Sequence, residues 1–141
     1  MNEREKLIYA LEKSFRKLLR AHRKNMTARL GSDLTASEFM FLQYLYESGP
    51  SKVSDLAEEF QVNLSHVTNV TDKLDSKNLI TRIRSRSDRR IVELQMTAEG
   101  SKVLEKVRRK RNTYFKNRFK DLDDDEINQM INFFSKLKKA Q

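Results

Sequence analysis

The sequence predicts a mainly α-helical chain carrying a winged helix-turn-helix with a two-stranded β wing. Three observations predict it. Apolar residues recur at helical spacing along almost the whole chain, and only three glycines and one proline interrupt it. Between Ser51 and Asn78, two short amphipathic segments are joined by a three-residue turn. Directly after them, two short β-type runs flank a polar segment rich in arginine.

Taken in order, Glu3–Leu30 reads as one long helix. Leu7, Ile8, Leu11, Phe15, Leu18, Leu19, His22 and Met26 form a wide stripe along it, and Gly31 is a stop signal. Thr35-Ala36-Ser37-Glu38 is a capping box that opens a helix over about Ala36–Ser48. That helix is apolar nearly all round, which suits a central buried position, and Gly49-Pro50 ends it.

The first helix of the pair spans about Lys52–Phe60. Ser51 stands at the expected N-cap, Asp55 lies in the first turn, and Val53, Leu56, Ala57 and Phe60 share one face. Gln61-Val62-Asn63 makes the turn, and Asn63 suits the N-cap of the second helix, about Leu64–Lys77. Val67, Val70, Thr71 and Leu74 are expected inside. Ser65, His66, Thr68, Asn69, Asp72 and Lys73 are expected outside. Small polar residues on the N-terminal half of an outer face are what a recognition helix offers to base edges. Ser65, His66, Thr68 and Asn69 are therefore candidate base-facing residues, with Lys73 a candidate phosphate contact; His66 is equally compatible with a plain solvated position. Asp72 would be repelled by phosphate, so it is expected to pair with a nearby Arg or Lys. The helix stops at Asn78, which tolerates the left-handed conformation.

Ile80–Arg84 and Arg90–Met96 read as the two strands. The tip between them holds Arg86, Asp88, Arg89 and Arg90, and arginines at a polar hairpin tip have no core to serve. A narrow minor groove, with its enhanced negative potential, would attract them. Asp88 can hold a neighbouring guanidinium through a bidentate pair. Thr97 then caps a helix over about Ala98–Lys120. Asp123, with Glu126 three residues on, opens a last helix whose apolar residues are Ile127, Met130, Ile131, Phe133, Phe134 and Leu137.

With these segments in order (SDLAEEF, NLSHVTNVTDKLDSKNLI, SDRR, MTAEG) the chain resembles the MarR family of bacterial transcriptional regulators. The most specific marker is Asp88-Arg89-Arg90 followed seven residues later by Thr97, with Gly100 one turn on. Asn78 stands where the family usually has Gly, and Met96 where it usually has Leu. The resemblance covers most of the chain and implies a single MarR-like domain over residues 1–141. Residues 35–97 would form the DNA-binding region, and residues 1–30 and 98–141 the dimerisation helices. It further implies a homodimer on a pseudo-palindromic operator, frequently a repressor, with release by a small aromatic or phenolic effector.

Bulk properties agree. Twenty-nine Lys and Arg against twenty Asp and Glu leave a net charge of +9, which attracts polyanions such as double-stranded DNA. The absence of cysteine excludes disulfides and thiol switches and fits the cytoplasm. No apolar run approaches the ~20 residues of a membrane span. No catalytic residues are expected, since there is no nucleophile elbow, phosphate-cradling Gly loop or His-carboxylate pair, and two histidines without cysteine make a poor metal site. No cofactor is expected. Two alternatives remain: a winged-helix protein-interaction module, disfavoured by the arginine-rich wing, and a sequence-neutral DNA binder. Long terminal helices with apolar stripes must be buried against something, and a second copy supplies it with two-fold symmetry.

Overall fold

Six helices and one antiparallel sheet follow one another among the residues the computed structural model describes, 1–30 and 33–139. They are α1 (Glu3–Leu30), α2 (Ala36–Ser48), α3 (Val53–Phe60), α4 (Leu64–Ser76), β1 (Ile80–Arg84), β2 (Val92–Met96), α5 (Ala98–Arg118) and α6 (Asp124–Lys139). The expected stop at Gly31 lies outside the described residues. The chain divides into two compact units, residues 1–108 and residues 109–141.

The helix starts follow the capping chemistry of the sequence. Thr35 Oγ1 accepts from Glu38 N at 3.1 Å, while Thr35 N donates to Glu38 Oε1 at 3.0 Å. Asn63 Oδ1 accepts from His66 N at 2.8 Å, and Thr97 Oγ1 accepts from Gly100 N at 2.9 Å. Asp123 and Glu126 close a second capping box, at 2.8 and 3.1 Å. Each cap satisfies amide groups that a helix start leaves without partners.

Ser51 does not cap α3. Lys52 holds the N-cap position, and its amide donates to Asp55 Oδ2 at 2.8 Å. The Ser51 main chain is committed instead to a two-way bridge with Leu94, at 3.1 and 2.7 Å, and its hydroxyl donates to Gly49 O. Ser51 thus extends the edge of the ribbon. The second strand starts at Val92 and not at Arg90, because Arg90 belongs to the turn that Asp88 closes. The helix after the wing stops at Arg118 rather than Lys120, since Phe119–Leu122 form a turn.

The core of residues 1–108 gathers Leu34, Phe41, Leu42, Leu45, Leu56, Val67, Val70, Leu74, Leu79, Ile80, Leu94, Leu104 and Val107. The α4 residues expected inside are all buried, including Thr71, whose hydroxyl is satisfied by Val67 O at 2.8 Å. Val53, Ala57 and Phe60 of α3 are half-buried against the same core, and α1 reaches it through Met26. The helix α2 is less enclosed than its composition suggests: Phe41, Leu42 and Leu45 are buried, while Met40 and Tyr46 are exposed. The start of α5 is fitted closely to the end of α4. A side chain at Gly100 would collide with the Leu79 carbonyl, and Thr97 bonds Asn78 O through its hydroxyl and Leu79 O through its amide.

In residues 109–141, Tyr114 and Phe115 meet edge-on, and Phe115 stacks on Phe119. Ile131, Phe133, Phe134 and Leu137 of α6 are exposed in the single chain. The same holds for Leu7, Ile8, Leu11, Phe15 and Leu18 of α1.

Candidate nucleic-acid interface

The tight turn between α3 and α4 depends on one strained residue. Gln61 adopts the left-handed conformation at φ 50°, and its neighbour Val62 donates to Ala57 O at 3.1 Å. The chain reverses there and Asn63 restarts it as α4. With Val67, Val70, Thr71 and Leu74 turned inward, the opposite face of α4 is solvent-facing: Ser65, His66, Thr68, Asn69, Asp72 and Lys73 are all exposed. Of these, Ser65 is partly used in the cap, its hydroxyl donating to Asn63 Oδ1 at 2.8 Å. The His66 ring packs edge-on to Phe41, centroids 6.1 Å apart, which anchors its orientation at the start of the helix. Thr68, Asn69 and Lys73 stand clear, with hydroxyl, amide and ammonium groups open to a ligand.

At the C-terminal end of α4, Asn78 takes the left-handed conformation at φ 61°. It turns the chain into β1, which pairs with β2 in the register Ile80↔Met96 through Arg84↔Val92. Arg82 on β1 reaches back to α4, where its guanidinium bonds Asp72 Oδ1 at 2.7 Å and also Asp75. Asp72 therefore has the cationic partner expected of it. This clamp neutralises two carboxylates on the helix that would otherwise repel phosphate, and it fixes the ribbon to the helix.

The tip is organised rather than loose. Ser85 N donates to Ile91 O at 2.9 Å, and Ile91 N to Asp88 O at 3.0 Å. Arg84 Nη1 donates to Arg89 O at 2.9 Å, and the Ser85 and Ser87 hydroxyls lie 2.9 Å apart. Asp88 accepts from Arg90 Nε at 3.1 Å and from Arg90 Nη2 at 3.0 Å, the bidentate pair foreseen from the sequence. The hydrogen bonds from Arg90 hold the Asp88 carboxyl below the usual carboxylate range. The Arg90 side chain is nonetheless 91% exposed, so its outer edge is free to meet a phosphate or a base. Arg86 and Arg89 are also exposed at the tip.

Two features escaped sequence reasoning. The first is Arg82, which reads only as a strand residue until α4 and β1 are folded together. Asp72 and Asp75, three apart on one helix edge, were the signal that a cation must lie nearby. The second is a contact between Glu38 and Lys77, 39 residues apart, for which the sequence holds no local signal.

A helix-turn-helix with a cationic ribbon beside an exposed polar helix defines a winged-helix DNA-binding protein. Its outer helix matches the width of a major groove, and its tip offers the charge a minor groove attracts. The MarR family model matches residues 34–92, from just before α2 to the beginning of β2. The uncharacterized HTH-type transcriptional regulator YpoP of Bacillus subtilis is 40% identical over 141 residues, all of both chains. The HTH-type transcriptional repressor MdtR of the same organism is 34% identical over 107 residues, 76% of this chain and 69% of its own. Among solved structures, the transcriptional regulator BldR from Sulfolobus solfataricus superposes with a TM-score of 0.79 at 26% identity, covering all of both chains. The chain belongs to the MarR family of transcriptional regulators. It is a DNA-binding regulator and not an enzyme. No helix among the described residues is long and apolar enough to cross a membrane.

Proposed function

We propose that the protein is a cytoplasmic, sequence-specific repressor that binds a pseudo-palindromic operator as a homodimer. The observation that carries this is the division of α4 into a fully buried inner face and an outer face of Ser65, His66, Thr68, Asn69 and Lys73. Four of these carry groups that donate to or accept from base edges, and Asn69 suits adenine. Lys73, Arg86, Arg89 and Arg90 bring positive charge to the backbone and the minor groove, with Asp88 aiming Arg90.

The dimer rests on a second observation. Phe15 is 51% exposed and Phe134 is 55% exposed in the single chain, each within a stripe of exposed apolar residues on its helix. Monomeric proteins rarely leave such stripes open. Two copies joined through α1, α5 and α6 would place two reading helices on successive turns of one duplex face, ~34–36 Å apart. The small aromatic or phenolic effector that the family resemblance implies would act by changing that spacing. A repressor role is supported by the likeness to MdtR, a named repressor.

Selection of bound fragments from the source genome, followed by mobility shift against random duplex, tests this reading. Enrichment of a two-fold symmetric site, lost in Asn69→Ala, is the expected result. Equal affinity for every fragment would leave only a sequence-neutral binder, since specific sites are typically ~10³–10⁷-fold tighter than random DNA.

A further inference from the structure

The basic residues of this chain do not all belong to the wing and α4. On α1, Lys13, Arg16, Lys17, Arg20, Arg23 and Lys24 recur at three- and four-residue intervals, so they share one side of the helix. All six are exposed, and residues 13–24 contain no acidic residue. Among the described residues, one of them is engaged, Arg16 with Glu12 at 2.5 Å. At ~100° per residue, the stripe is centred about 120° around the helix from Met26, the residue that seats α1 on the core. It therefore lies off the apolar stripe, on the side that remains free when that stripe is covered.

A second basic run, on α5, is different. Arg108 stacks over the Tyr46 ring at 5.2 Å, Arg111 over Phe115 at 5.4 Å, and Lys106 pairs with Asp33 at 3.4 Å. Those cations are used in packing within the chain. The α1 stripe is not, and holding six like charges together on one helix face costs stability. A polyanion laid along the stripe would relieve that repulsion.

We infer that the α1 stripe is a second DNA-contacting surface, which binds the phosphodiester backbone of duplex outside the base pairs read by α4 and the wing. Charge complementarity commits it to that occupant. Six cations span ~16 Å of helix, and duplex DNA carries one charge per ~1.7 Å of axis. A membrane surface fits less well: an interfacial helix needs its apolar face free for lipid, and here that face is the one assigned to the partner copy. The inference rests on the DNA-binding reading, and the test separates the two.

The test compares the wild-type protein with the Lys17→Gln/Arg20→Gln/Arg23→Gln/Lys24→Gln variant in salt titrations. Glutamine keeps the helix propensity of the residues it replaces, and circular dichroism verifies that the fold is kept. On long duplexes the variant should lose affinity for operator and random DNA by the same factor. Its log-log salt slope should fall by about 2–4 per protomer, since each released phosphate contact contributes ~0.9. Arg90→Ala should instead lower the preference for operator over random DNA, with a slope change of about one.

Duplex length then locates the phosphates. If they flank the operator, the difference between wild type and variant disappears on a duplex trimmed to the site. If they belong to a second duplex, wild type bridges two labelled duplexes and the variant does not. A wild-type protein that binds no duplex defeats the DNA reading and the stripe together. A variant whose slope equals that of wild type on long duplexes, with no bridging by either, overturns the stripe alone. Stripe-dependent binding to phosphatidylglycerol vesicles with an unchanged DNA slope would overturn it in favour of a lipid surface.

Discussion

The carboxylate of Glu38, 1% exposed at the start of α2, accepts a hydrogen bond from Lys77 Nζ at 2.7 Å, at the very end of α4. The same carboxylate closes the cap of its own helix through Thr35. One side chain thus ties the start of α2 to the end of α4. Burial, the largest single influence, pushes the Glu38 carboxyl up. The hydrogen bonds from Lys77 and Thr35 and the lysine charge together outweigh it, so the group lies below its usual value.

That shift has a direction in pH. The unfolded carboxyl titrates near ~4.3, above the folded one. Its stabilisation is therefore complete above that pH and is lost as pH falls through the folded value. Thermal melts of wild type against Glu38→Gln across the acid range should converge as pH drops. At neutral pH, Glu38→Ala should cost about 1–3 kcal/mol, from a lost cap and a lost charge-assisted bond. Parallel acid profiles for wild type and Glu38→Gln would show that the pair is not coupled to folding.

Arg82 on β1 holds Asp72 and Asp75 of α4. The pair is partly exposed, so Arg82→Ala should cost little stability, about 0.5–1 kcal/mol. Its effect on DNA should be larger, because two uncompensated carboxylates would then face the phosphates. Affinity should fall on the order of 1 kcal/mol for all sequences alike. Adding Asp72→Asn and Asp75→Asn should restore most of it, as isothermal titration of the triple variant would show. A triple variant as weak as Arg82→Ala would mean that the arginine touches DNA directly.

The wing supplies a third prediction. Arg90 is oriented by Asp88 yet open to solvent, so Arg90→Ala should weaken operator binding by roughly 1–3 kcal/mol. Asp88→Ala should cost less, because the guanidinium stays but loses its aim. Neither should lower the melting temperature measurably, since the tip lies outside the core. Mobility shift with the selected operator measures both, and wild-type affinity in Arg90→Ala and Arg89→Ala together would remove the wing from the interface.

Local chemistry made most of this architecture legible. The Thr35, Asn63, Thr97 and Asp123 caps are each written in three or four consecutive residues. The inward set Val67, Val70, Thr71 and Leu74 follows from helical period alone. Ser51 misled because a serine before a helix looks like a cap whether or not its main chain is engaged elsewhere, and its bridge to Leu94 spans 43 positions. Arg90 misled in the same way: a residue beside β-type sequence reads as strand until Asp88 is seen to hold it in the turn. Glu38–Lys77 was invisible, and Arg82 could not be named as the partner expected for Asp72, because both depend on tertiary placement of side chains that any surface helix or strand could carry.

The last prediction concerns assembly. Leu7, Leu11 and Phe15 on α1 and Ile131 and Phe134 on α6 are exposed in the single chain, and none lies between α2 and β2. If they form the interface between copies, a charge placed among them should dissociate the dimer, because an unpaired carboxylate in an apolar contact has no partner to repay its desolvation. Phe134→Glu should therefore halve the mass seen by light scattering at micromolar concentration. It should also weaken operator binding while every exposed polar side chain of α4 remains in place. The reason is linkage: in a dimer the second half-site is bound at an effective concentration near millimolar, and a severed reader keeps the affinity of one half-site alone. The two readouts must move together. A variant that is monomeric yet binds the full operator as tightly as wild type would show that one copy suffices, and the pseudo-palindromic operator would go with it.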